Sequence, residues 1–207
     1  MIDCAAEDGL WTVTLNRPDK ANSLTEDMLR QLADIVTQAG VDPDIKALIL
    51  TGAGDKVFSA GADLDEARAG LATSPLWEQV SGGIAGLPCL SIAALNGTLA
   101  GGAFGMALTC DLRIAVPHAR FFYPVAKLGF LPQPSDPGRL VALVGPARAK
   151  LVLLGGQKLT ADEALAFGLI DRITLPEHLM DQARDLAADA LAGDTEVLRR
   201  IKQMCAG

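Results

Sequence analysis

Two histidines, His118 and His178, are all the imidazole in this 207-residue chain, and its four cysteines (Cys4, Cys89, Cys110, Cys205) form no CxxC pair. Zinc sites draw on those residue types at short spacing, so no metal centre is expected. Cysteines scattered this way read as reduced thiols buried like small apolar side chains, which fits a cytoplasmic setting. Basic residues are also few: 18 Lys and Arg stand against 25 Asp and Glu, a formal charge of −7. A nucleic-acid binder needs a basic excess to release counterions, so nucleic acid is not an expected partner. In such a field an anionic ligand must be met by local donors. Met1 is followed by Ile2-Asp3-Cys4-Ala5-Ala6-Glu7-Asp8, with no basic and no long apolar stretch, so no secretory leader is read there.

Charge is missing altogether from Gln79 to Cys110, a span of 32 residues that is long enough to cross a bilayer. It holds seven glycines, Pro88 and Asn96, however, which a lipid-facing helix would not tolerate in that density. The segment reads as soluble core, and no membrane association is expected. With half of its residues apolar, the chain is long enough to fill one core of its own.

Periodicity then assigns elements. Leu10 to Leu15 alternates as a strand, and Asn16-Arg17-Pro18-Asp19 stops it. Ser23 to Glu26 has capping-box spacing ahead of a helix running to Gly40. Ala47 to Thr51, Leu90 to Leu95 and Leu112 to Val116 read as interior strands. A loop or short helix is expected around 62–69, and helices around 76–85, 101–109 and 140–144 and after Thr160, Pro176 and Asp194. Alternation of strand and helix places the chain in the α/β class.

Two glycine clusters carry the chemical signal. Phe58-Ser59-Ala60-Gly61-Ala62-Asp63-Leu64 follows one strand, and Asn96-Gly97 with Gly101-Gly102 sits where a strand turns into a helix. Small residues there can leave backbone N–H groups pointing into a cavity, and a helix start favours an incoming negative oxygen. Two such donors on one carbonyl would make an oxyanion hole; either cluster alone is equally well an ordinary turn.

Taken together with Leu15-Asn16-Arg17-Pro18, Lys20-Ala21-Asn22-Ser23-Leu24, Cys110-Asp111-Leu112-Arg113, Lys127-Leu128-Gly129, Leu143-Val144-Gly145 and Leu159 to Ala164 with Gly168-Leu169-Ile170, these clusters closely resemble the enoyl-CoA hydratase/isomerase (crotonase) superfamily from Leu10 to Ile173. The resemblance implies a ββα superhelical core over residues 1–174 with C-terminal helices, here a short helical tail over 175–207. It implies an acyl-CoA ligand, coenzyme A entering as part of the substrate and no separate cofactor. Its two oxyanion donors fall on the N–H groups of Ala62 and Gly102. The coenzyme A pocket falls around Arg17, Lys20 and Ala21 and on Ala60, Asp63 and Leu64. Arg17 and Lys20 would either meet phosphates or simply form a charged surface turn. Asp63 and Asp111 match structural carboxylates of the family. The family's assembly is a disc-like homotrimer, or a hexamer of two.

Two facing carboxylates, which the family's hydratases use to add water across a double bond, are missing. The matching positions are Gly105 and Val125, and neither can transfer a proton. On the loop after Leu128-Gly129 the nearest replacements are Gln133, to orient substrate or water, and Asp136, as general base or nucleophile. Asp136 before Pro137 is also a good helix N-terminus, so a capping role stands beside the catalytic one. The chain is therefore expected to be an oxyanion-stabilising enzyme on acyl-CoA, with a non-catalytic acyl-CoA-binding or regulatory protein as the alternative. Aromatic content of 4% argues weakly against a stacked aromatic acyl group.

Overall fold

The computed structural model describes residues 1–205. Chain order begins with β1 (Ile2–Glu7), β2 (Leu10–Leu15), α1 (Glu26–Val41), β3 (Ala47–Gly52), β4 (Val57–Ser59), α2 (Leu64–Arg68) and α3 (Leu76–Ala85). It continues with β5 (Leu90–Leu95), β6 (Thr98–Ala100), α4 (Phe104–Thr109), β7 (Leu112–Ala115), β8 (Arg120–Phe122), α5 (Val125–Leu128) and α6 (Asp136–Val144). The remainder is α7 (Pro146–Leu153), β9 (Leu159–Thr160), α8 (Ala161–Phe167), β10 (Arg172–Ile173), α9 (Leu179–Ala192) and α10 (Thr195–Cys205).

Three successive turns share one plan. Each sends a strand to a six-stranded sheet ordered β1-β2-β3-β5-β7-β10, then a strand to a four-stranded sheet ordered β4-β6-β8-β9, then helix. Pairs β3/β5/β7 and β4/β6/β8 are parallel, as a superhelix advancing one strand per turn requires. Every residue of β3 is buried, which explains its unbroken apolar run, since a central parallel strand is covered on both faces. β1 is the opposite case: an antiparallel edge strand with five of its six residues exposed and no periodicity to betray it.

Some local expectations are corrected. Ser23 does not cap α1, because its hydroxyl receives a bond from Arg17 Nη1 at 3.1 Å. Thr25 takes the position instead, its Oγ1 accepting from the Met28 N–H at 3.2 Å, and the helix runs one residue past Gly40. Cys89 and Cys110 are buried as expected, but Cys4 and Cys205 are exposed, one on the edge strand β1 and one at the end of α10. The Thr160–Glu163 capping box forms in both directions, and Gly168 ends α8 with φ 78°. Leu179, Ala183 and Ala187 of α9 enter the same apolar core as the strands, whereas α10 buries no residue fully. Among the described residues no helix is long and apolar enough to cross a membrane.

Candidate active site

Parallel neighbours end at the same edge of a sheet, so β4 and β6 deliver their following loops side by side. Gly61 (φ 89°) and Gly101 (φ 59°) both adopt left-handed backbone at this point. A Cβ on Gly61 would lie 3.0 Å from the Ala100 carbonyl oxygen and 3.3 Å from the Gly102 nitrogen, so only glycine lets the two loops touch. Gly102 in turn is pressed against the Trp77 indole, which a Cβ there would meet at 3.2 Å. The indole is fixed by its own N–H, donated to the Leu71 carbonyl at 2.8 Å.

Nearly every backbone donor of the first loop is spoken for. Ala60 N–H bonds the Ala21 carbonyl, Gly61 N–H the Ser59 hydroxyl and Asp63 N–H the Leu24 carbonyl. Ala62 N–H alone in this run has no partner among the described residues. Gly102, in the first helical turn after β6, likewise has an N–H with no partner among the described residues. Two unpaired amides from adjacent loops thus border one cavity of about 520 Å³, within the range of small-molecule sites.

Of the residues expected at the site, Ala21, Ala60, Ala62, Leu64, Gly102 and Gln133 line this cavity, and Arg17, Lys20, Asp63 and Asp136 do not. Arg17 and Asp63 are occupied with each other. Arg17 Nη1 sits 2.7 Å from Asp63 Oδ2, and Asp63 Oδ1 caps α2 through the Asp65 N–H. The Arg17 bond holds the Asp63 carboxyl below the usual range. The pair pins the 16–24 turn to the 60–63 loop. Tyr123, which the sequence offers beside Gln133 as a group to orient substrate or water, also lines it, whereas Arg68 and Trp77, which line it too, were not foreseen. A second hollow, of about 690 Å³, is bordered by Glu26, Asp27 and Glu66, a poor environment for a phosphorylated ligand.

Asp136 does not cap α6. Its side chain turns inward, is 1% exposed, and accepts the Tyr123 hydroxyl on Oδ2 at 2.9 Å. Oδ1 is buried with no hydrogen-bond donor; its nearest cation is Arg139 at 3.6 Å, and Arg139 already donates to the Ser81 hydroxyl. Tyr123 also accepts the Gln133 N–H at 3.3 Å and stacks on Phe104 with ring centroids 5.4 Å apart. Tyr123 and Gln133 therefore stand between the cavity and the carboxylate. Gln133 is further anchored through its Nε2 to the Ala72 carbonyl at 2.9 Å.

Burial pushes the Asp136 carboxyl up to about 6, with Glu78 adding to the rise and the Tyr123 bond and Arg139 opposing it. The folded state therefore holds this proton more tightly than the unfolded chain, whose aspartates titrate near 4. Stability is fully present below about pH 4 and falls as pH rises to about 6, by on the order of 3 kcal/mol. Asp136→Asn keeps an acceptor for Tyr123 and removes the charge. The variant is expected to melt above the wild type at pH 7.5, with the gap closing toward pH 4 in thermal scans. A gap independent of pH would contradict the assignment.

The enoyl-CoA hydratase/isomerase family model matches residues 5–206. A putative enoyl-CoA hydratase/isomerase of Bacillus subtilis is 39% identical over 92% of this chain and 75% of its own length. A short-chain-enoyl-CoA hydratase of Clostridium acetobutylicum is 36% identical over the same shares. The crystal structure of an enoyl-CoA hydratase from Bacillus anthracis superposes with a TM-score of 0.93 at 31% identity, covering 100% of this chain and 82% of that one. The superhelix of paired strands is thus the crotonase fold, and the chain belongs to the enoyl-CoA hydratase/isomerase family.

Proposed function

We propose that this protein binds an acyl-CoA thioester in the 520 Å³ cavity and stabilises the enolate, or a related oxyanion, formed on its carbonyl. The carrying observation is the pair of partnerless N–H groups of Ala62 and Gly102 on loops in van der Waals contact. As negative charge grows on the thioester oxygen, fixed donors gain strength without reorganising, and a single donor of this kind is worth about 2.7–4 kcal/mol in a transition state. Trp77 and the exposed apolar residues Leu64, Leu128 and Leu131 give the acyl and pantetheine portions an apolar wall and mouth. Arg68, exposed and paired with Asp65 at 3.3 Å, brings a cation to that mouth for a coenzyme A phosphate. Relatives that carry the names crotonyl-CoA hydratase and carnitinyl-CoA dehydratase share the CoA thioester, which supports the substrate class and leaves the reaction open.

Assembly as a homotrimer or hexamer belongs to the same reading. It is supported by the apolar stripe Val197, Ile201 and Met204 on α10, all more than half exposed at helical spacing. The second reading, a binder without catalysis, is favoured by Gly105 and Val125 at the two positions where a carboxylate would be looked for.

The oxyanion cradle is tested by calorimetric titration with butanoyl-CoA and with S-butyl-CoA, a thioether that lacks the carbonyl. Two hydrogen bonds of about 0.5–1.5 kcal/mol each predict affinity about ten- to a hundredfold weaker for the thioether. Equal affinities would remove the cradle from the account.

A further inference from the structure

Of the side chains bordering the cavity only Arg68 and Tyr123 are acid–base groups, and a guanidinium does not give up its proton. Tyr123 is therefore the single lining group able to exchange a proton with a bound molecule. Directly behind it lies Asp136, bonded to its hydroxyl at 2.9 Å, with a second oxygen that no donor reaches. A buried carboxylate oxygen without a hydrogen-bond donor is costly to ionise, and the only cation near this one is Arg139 at 3.6 Å among the described residues.

The space for this carboxylate exists because residue 105 has no side chain. A Cβ on Gly105 would lie 2.8 Å from Asp136 Oδ1, so the carboxylate of α6 fills the volume that a side chain on α4 would take. Phe104, next to that glycine, stacks on the Tyr123 ring, and the Gln133 N–H holds its oxygen from the other side. Phenol and carboxylate are thereby fixed in one geometry from three elements.

We propose that Tyr123 and Asp136 form a two-member proton relay, with Tyr123 exchanging a proton with the α-carbon of the bound thioester and Asp136 holding the proton behind it. This rests on the acyl-CoA reading above. When the α-carbon–hydrogen bond breaks, its electron pair passes into the thioester and becomes the enolate oxygen held by Ala62 and Gly102. The hydrogen joins Tyr123 Oη as the phenolic proton crosses to Asp136 Oδ2. The reverse sequence returns a proton to carbon, and no oxidant or further reactant is needed. One relay serves chemistry in which a single proton leaves or joins the α-carbon.

The acidities are consistent with that direction. Burial, and then the neighbouring Asp136, raise the Tyr123 hydroxyl well above its ordinary value, so it stays a phenol, while the carboxyl behind it titrates at about 6 and is ready to accept. The charged groups facing Asp136 are Arg139 from α6 and Glu78 from α3. Glu78 is desolvated, yet two bonds from Ser135 keep it below its usual range.

The test is incorporation of deuterium at the α-carbon of butanoyl-CoA in D2O, read by mass spectrometry beside calorimetric affinity for the same thioester. Wild type is expected to exchange, with a rate that climbs as pH passes about 6. Tyr123→Phe keeps the ring and its stacking, and is expected to lose about a hundredfold or more in exchange with affinity unchanged. Asp136→Asn is expected to lose exchange comparably and to abolish the inflection near pH 6, a readout that a merely structural role would leave in place. Tyr123→Phe exchanging at the wild-type rate, or a wild type that binds without exchange, overturns the relay and leaves the acyl-CoA reading standing. A wild type that fails to bind butanoyl-CoA overturns both.

Discussion

Gly105→Glu is expected to lower stability by about 4 kcal/mol or more, and Asp136→Gly in the same chain to restore most of it. The first methylene alone would sit 2.8 Å from Asp136 Oδ1, and that oxygen cannot swing away while Oδ2 holds the Tyr123 hydroxyl in a fully buried site. Overfilling a packed core costs about 1–3 kcal/mol. A second carboxylate with no donor adds several more, in a place where the existing one already titrates near 6. Removing Asp136 vacates the volume and the competing charge together. Urea melts of the two single variants and the double variant measure the coupling, expected at about 2 kcal/mol or more in favour of the pair. Additive effects would mean that the two positions do not share one space.

Gly97→Ala is expected to cost more than about 3 kcal/mol and to weaken acyl-CoA binding with it. Its Cβ would fall 2.1 Å from the Lys56 carbonyl oxygen and 2.6 Å from the Val57 nitrogen. Those are backbone atoms at the start of β4, and no rotamer change relieves them. The adjacent Thr98 N–H donates to the same Lys56 carbonyl at 3.0 Å, so moving it breaks the junction of β4 and β6. That junction sets the approach of Gly61 to Gly102. Gly82→Ala on the exposed face of α3, where a Cβ meets nothing within 4 Å, serves as the control. It is expected to gain up to about 1 kcal/mol through helix propensity. Urea midpoints that shift equally for both glycines would contradict the crowding at Gly97.

Periodicity revealed the parts of the fold that bury a continuous face. β2, β5 and α3 have the ends read from their residues, β3 runs one residue further to Gly52, and the capping box at Thr160 formed as its spacing promised. The second sheet was invisible by the same logic. β4, β6 and β8 are three residues each, too short for a period, and become strands only by pairing with one another across the chain. The meeting of the two glycine loops depends on that pairing, so it came from the family resemblance and not from local pattern. The Arg17–Asp63 pair joins positions 46 residues apart, which is why no local pattern shows that these two side chains hold the turn and the loop together. Asp136 is the subtlest case. Pro137 and the apolar run after it do start a helix, and only the position of the Tyr123 hydroxyl decides that the carboxylate looks inward.

Ala62 and Gly102 follow neighbouring strands, so their separation is tied to the repeat of a hydrogen-bonded sheet, about 4.8 Å, with Trp77 the cavity side chain that packs on Gly102. Val125, Leu128, Phe130 and Leu131 can therefore be exchanged without moving the two proposed donors, whereas Trp77, packed on Gly102, cannot. On the proposed reading, tolerance for new acyl groups and constancy of the two donors are, in this architecture, separately heritable properties.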